Sequence, residues 1–173
     1  MKDIFLRGAA LLAASLLVTG AAQAQETSNR VAAKTDWSIF VEDNPKECWG
    51  VSSPKKTENT KDGKPTEVRR GDILLFITFR PGKDGEVMFM GGYPFAKGST
   101  VDLAVNNGQK FTLFTDGEGA WAAPGDDAKI VAALKSGGDV TLTAHSGRGT
   151  QTKDNFSLMG FTAAMDEASK RCK

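Results

Sequence analysis

From Trp37 onward the chain reads as strands first and helices late: short apolar runs, several of them alternating with polar positions, come before the helical spacing that appears only after Asp126. Trp37, Ile39 and Val41 alternate with Ser38, Phe40 and Glu42, the period of a strand with one buried face. Asn44-Pro45 makes a turn, and Cys48 to Ser52 reads as a second short strand. Residues 55–70 are polar, with Asp62-Gly63 near the middle, a pair that takes the positive φ angles of a tight turn, so this stretch predicts a long exposed hairpin or loop. Ile73 to Phe79 is apolar except at Thr78, which predicts a central strand buried on both faces, ended by Pro81-Gly82. Val87 to Met90 is another apolar strand, stopped by Gly91-Gly92-Tyr93-Pro94. The clearest hairpin joins Val101, Leu103 and Val105 to Phe111, Leu113 and Thr115 through Asn107-Gly108.

The period changes at Asp126. Ile130, Val131 and Leu134 share a helical face, Asp126 and Asp127 sit where a helix start favours anions, and Gly137-Gly138 terminates the segment. Strands follow at Val140 to Ala144 and Thr152 to Leu158, with a turn at Gly147-Arg148-Gly149. Phe161, Ala164, Met165 and Ala168 then predict a C-terminal helix over 161–171, and the spacing from Phe161 places Cys172 on its buried face. Eight or nine strands with regular turn signals predict a mainly β chain, an antiparallel, jelly-roll-like β-sandwich with two short helices at its margin, one of them C-terminal.

The first 24 residues read as an address. Lys2 and Arg7 begin a basic start, Ala9 to Val18 is an apolar run broken only by Ser15, and Ala22-Gln23-Ala24 is a small-residue site. This is the form of a signal peptide cleaved between Ala24 and Gln25, and the run falls short of the roughly 20 apolar residues a membrane anchor needs. Residues 25–35 are polar and aperiodic, predicting a flexible leader before a single domain over 36–173. Export makes a Cys48–Cys172 disulfide the default for the two cysteines. On this reading the bridge clamps the last helix to the sheet edge. The alternative is a reactive thiol, with His145 the one imidazole available as its base.

Of 173 residues, 22 are Lys or Arg and 21 are Asp or Glu; losing Lys2, Arg7 and Asp3 with the signal peptide leaves the two signs equal. A neutral chain projects no field that gathers nucleic acid or holds an anionic membrane. Within that balance residues 55–70 carry six cations, including Lys55, Lys56, Arg69 and Arg70, against three anions, a patch suited to an acidic protein or a sulfated glycan or else to a solvated hairpin. Arg70-Gly71-Asp72 is the tripeptide that adhesion receptors read at a flexible loop tip, and it equally suits the start of the next strand. Tyr93, Phe95 and Trp121 put aromatic rings near loops, as partner anchors or as core plugs. Asp116, Glu118 and Asp126 offer carboxylates for hydrolysis, with capping and turn formation as their structural account. No metal-ligand cluster and no cofactor motif is legible.

Asp36-Trp37-Ser38 ahead of Cys48, Arg69-Arg70-Gly71-Asp72 entering an apolar strand, Gly91-Gly92-Tyr93-Pro94-Phe95, Phe114-Thr115-Asp116-Gly117, and Phe156-Ser157-Leu158 with Gly160-Phe161 before a helix ending in Cys172 together resemble the invasion-associated locus B family. The resemblance spans residues 36–172. It implies an exported bacterial protein of the periplasm or envelope with a compact β-rich domain, and it brings no catalytic residues to carry over. The expected function is an envelope binding or interaction module without catalysis, contributing to host-cell association or envelope integrity through a protein or glycan partner. The alternatives are a carrier holding a small apolar ligand between the sheets near Phe76, Phe79, Met88, Phe89 and Met90, and, third, an envelope hydrolase.

Overall fold

In the computed structural model, which describes residues 29–173, every strand pairing is antiparallel and all twelve strands join one ladder. The strands are β1 (Arg30–Lys34), β2 (Trp37–Asp43), β3 (Lys46–Ser52), β4 (Lys56–Lys61), β5 (Lys64–Pro65), β6 (Leu74–Phe79), β7 (Glu86–Met90), β8 (Thr100–Val105), β9 (Lys110–Asp116), β10 (Gly119–Ala122), β11 (Asp139–His145) and β12 (Gln151–Ser157). Their spatial order is β1-β2-β3-β6-β7-β10-β9-β8-β11-β12-β4-β5. The ladder folds over so that its two halves face each other as the layers of the expected antiparallel β fold. Trp37 Nε1 of β2 donates to the Ser157 carbonyl of β12 at 3.0 Å, and Phe89 of β7 meets Phe156 of β12 edge to face at 6.2 Å. Leu75, Ile77, Val87, Leu103, Leu113 and Leu142 fill the space between, all fully buried.

Both helices lie where their apolar spacing predicts. In α1 (Asp127–Lys135) Ile130, Ala133 and Leu134 are buried, and the Asp127 carboxylate accepts the Val87 N–H at 2.8 Å. Asp126 stands at the N-cap position without capping the helix, because its carboxylate takes Lys129 Nζ at 2.7 Å. In α2 (Phe161–Arg171) Phe161, Ala164, Met165 and Ala168 are buried, and the helix packs against β2 and β3. Gly160 precedes it at φ 85°, where a Cβ would collide with the Lys34 carbonyl. Gly160→Ala is therefore expected to cost about 1–3 kcal/mol in urea denaturation, and a neutral change would contradict this contact.

The cysteines form the Cys48–Cys172 disulfide, with Cα atoms 5.6 Å apart. The clamp does not reach the sheet edge as expected: Cys48 lies on β3, which has β2 and β1 outside it. That outer strand β1 occupies residues 30–34, which carry no alternating pattern and were expected within a flexible leader. One other strand was also unmarked, β10, whose Gly and Ala positions lack β-forming side chains. Within residues 55–70 the expected hairpin forms as β4 and β5, with Asp62 at φ 50° and Gly63 at φ 73°, but it ends at Pro65, and the Arg70 side chain at the end of the stretch is buried, not exposed. Strand β6 differs as well. Leu75, Ile77 and Phe79 are buried, but Leu74 and Phe76 remain partly exposed, so it is fully covered on one face only. The N-terminal basic start, the apolar run and the Ala24-Gln25 junction lie outside the described residues.

Candidate functional site

Where β6 and β7 leave the ladder, four irregular segments converge: 67–70, 92–94, the β9–β10 turn and the β11–β12 turn. Between them opens a cleft of about 630 Å³. Its floor is set by Arg70, whose side chain is only 6% exposed although it comes from a charged, aperiodic stretch. The guanidinium meets the fully buried Asp154 of β12 in a bidentate pair, Nη1 to Oδ1 at 2.8 Å and Nη2 to Oδ2 at 2.6 Å. It also donates from Nε and Nη2 to the Gly91 carbonyl at 3.0 and 2.8 Å. The planar fork thus ties the 67–70 segment to β12 and to the end of β7 at once, which a lysine could not do. Burial pushes the Asp154 carboxyl above the ordinary carboxylate range, and the guanidinium hydrogen bonds pull against that shift.

Tyr93 completes the floor. Its ring lies 4.9 Å from the Arg70 guanidinium carbon, and its hydroxyl bonds the buried Thr152 hydroxyl at 2.6 Å. Burial raises the phenol's pKa, so it stays protonated. The Gly71 N–H donates to the Gly92 carbonyl at 2.8 Å, an approach that leaves no space at Gly92, where φ is 73° and a Cβ would stand 2.7 Å from the Gly71 oxygen. Gly92→Ala is accordingly expected to lower the thermal midpoint by several degrees, consistent with about 1–3 kcal/mol of strain, and an unchanged midpoint would contradict the packing.

The walls differ from the floor. Arg69 and Arg148 line the cleft from the 67–70 segment and the β11–β12 turn, both exposed, and neither makes an ion pair among the described residues. Glu67 and Glu118 also line it, with Val68, Pro94, Ser146 and Thr150 between. The Ser146 hydroxyl is held by the backbone N–H groups of Arg148 and Thr150, at 3.3 and 3.1 Å, which shapes the turn that carries Arg148.

The structure brings four of the candidate residues singled out in the sequence, Tyr93, Arg69, Arg70 and Glu118, into this one cleft and disperses the others. Phe95 is a core plug, 8% exposed, against Phe89 and Tyr93. Trp121 lies on β10, away from the cleft, stacked on Phe114 at 6.1 Å. Lys55 pairs with Asp36, and Lys56 with Glu58, on and beside β4. Arg70-Gly71-Asp72 is not a displayed tripeptide, since the Arg70 charge is spent on Asp154 and Gly71 is bonded to Gly92. Of Asp116, Glu118 and Asp126, only Glu118 lines the cleft. His145 is exposed at the end of β11, its ring 3.4 Å from the Gln151 amide. Asp154 and Thr152 escaped the sequence reading, because a polar residue on an alternating strand reads as outward-facing until its partner is known, and Ser146 escaped it as a turn residue beside Gly147.

Among the described residues no helix is long and apolar enough to cross a membrane, and no group of three or more His, Cys, Asp or Glu is placed to hold a metal ion. No curated protein matches the chain. Among solved structures it is similar to invasion associated protein B from Bartonella henselae, with a TM-score of 0.54 at 18% identity, covering 79% of this chain and 94% of that one. The family model for the Invasion associated locus B (IalB) protein matches residues 37–169. The chain belongs to the invasion associated locus B family.

Proposed function

We propose that this protein is an exported binding module of the bacterial envelope, without catalysis, that takes its partner in the Tyr93 cleft. One observation carries the reading: Arg69 and Arg148, two guanidiniums without an ion-pair partner among the described residues, flank a floor whose own charged and polar groups are already matched. A floor locked by Arg70 and Asp154 keeps its shape while the walls stay free for a ligand, which reduces the ordering cost of binding. Guanidiniums favour carboxylate and sulfate groups, so the partner is an acidic protein segment or a sulfated glycan. Glu67 and Glu118 in the same lining disfavour a continuous run of anions and favour a spaced one.

Family membership, the disulfide and the apolar run after Lys2 and Arg7 support export. The test is affinity capture from the envelope fraction of the producing bacterium, with wild-type protein beside an Arg69→Glu/Arg148→Glu variant. Each guanidinium is expected to contribute about tenfold in affinity, so the double variant loses the captured species while melting like the wild type. Equal capture by both proteins would remove the cleft from the account.

A further inference from the structure

A second surface, apart from the cleft, breaks the rule that the rest of the sheet keeps. Strand register sets Val51 opposite Phe76, Phe76 opposite Met88, Met88 opposite Trp121, and Trp121 opposite Phe114. Residues directly opposite share a face, so these side chains form one unbroken apolar line across β3, β6, β7, β10 and β9. Leu74 opposite Met90 continues it on one side, and the stacked rings of Phe40 and Trp49, 5.6 Å apart, border the other. None of these residues belongs to the hydrophobic core or packs against it, and Phe114 is 48% exposed. On the corresponding face of the other half, the register reads Glu58, Lys153, Thr143, Asp102, Thr112. One half of the sheet is therefore polar outside, as a solvated antiparallel face should be, and the other is apolar outside.

We propose that this face is a self-association surface, occupied by a second copy of the chain in a weak two-fold dimer. Two observations select that occupant. The line from Val51 to Phe114 carries no charge, so its complement is another uncharged apolar face, which this chain itself presents. The sheet edges oppose the alternative of strand pairing: β1 ends in Arg30 and Lys34, and the β4–β5 edge carries Lys56, Lys61, Lys64 and Pro65. Size sets the strength. Six strands spaced by about 4.8 Å and about 15 Å of strand length give roughly 400 Å² per copy, so a pair buries about 800 Å², below the 1,200–2,000 Å² of stable complexes. Arg80, paired with Glu47 at 2.5 Å and Glu86 at 3.2 Å, supplies a polar rim.

The experiment is sedimentation velocity on the oxidised protein recovered from an exporting bacterium that makes the full chain, over a concentration series from about 1 to 500 µM, bracketing dissociation constants in the micromolar range. The expected result is a monomer at the dilute end and a growing dimer at the concentrated end. Phe114→Lys changes a side chain already half in water and places a charge in the line; it is expected to weaken the dimer at least about tenfold without altering the melting curve. Met88→Thr, a strand-compatible change at the centre, is expected to act in the same direction. The Arg69→Glu/Arg148→Glu variant keeps the dimer, which separates this surface from the cleft. A monomer across the whole series overturns the proposal, as does a dimer that both Phe114→Lys and Met88→Thr leave at wild-type strength.

Discussion

Arg70→Met is expected to destabilise the domain by about 3–5 kcal/mol, the cost of leaving a buried charge without its partner. Asp154 is fully buried, and besides Arg70 its carboxylate has no hydrogen-bond partner among the described side chains. The loss is read from urea denaturation at neutral pH. Adding Asp154→Leu to Arg70→Met is expected to restore most of it, because a hydrophobic pair of similar volume needs no compensation. The single variant also gains a steeper pH dependence of the same sign as the wild type's. Burial already raises the Asp154 pKa, and removing the guanidinium removes what opposes that rise. The folded variant then holds its proton at pH values where the unfolded chain, with an ordinary carboxylate near about 3.9, has lost it, so stability is highest in acid and falls as pH rises from there. A variant within about 1 kcal/mol of the wild type at neutral pH would show that the pair does not organise the cleft.

The double change Cys48→Ser, Cys172→Ser is expected to cost about 5 kcal/mol. The bridge closes a loop across a separation of 124 residues, and in the chain-entropy model nearly all of its contribution comes from restricting the unfolded chain. Its native role is local: it fastens the end of α2 to β3, where Cys172 sits beneath Phe79 with its sulfur 3.2 Å from that residue's carbonyl. Amide exchange should therefore rise first in α2 when the bridge is absent. Denaturation midpoints that coincide for the oxidised protein and the double variant would contradict this.

Local rules made most elements legible in the sequence. Period-two alternation marked β2, β8, β9 and β11, helical spacing marked α1 and α2, and Asp62-Gly63 and Asn107-Gly108 marked their turns. Strands held by pairing alone left no trace: β1 acquires its conformation from β2, and β10 from β7 and β9. The same limit applied to the cleft. Tyr93, Arg69 and Arg70 drew attention as an aromatic and two cations near loops, but their meeting depends on Asp154, 84 residues beyond Arg70, which nothing in a linear reading connects to them. The apolar run at β6 misled for a physical reason. Continuous hydrophobicity reads as burial on both faces, and here one of those faces has no covering layer among the described residues.

Photo-crosslinking in living cells of the producing bacterium shows directly whether a partner binds in the Tyr93 cleft. A photoreactive residue replaces Pro94, exposed in the cleft lining, and in a control strain replaces Lys110, exposed at the start of β9. Discrete adducts are expected from position 94, absent from position 110 and abolished by Arg69→Glu/Arg148→Glu. The same adducts from both positions, or adducts at 94 that survive the double variant, would contradict binding in the cleft.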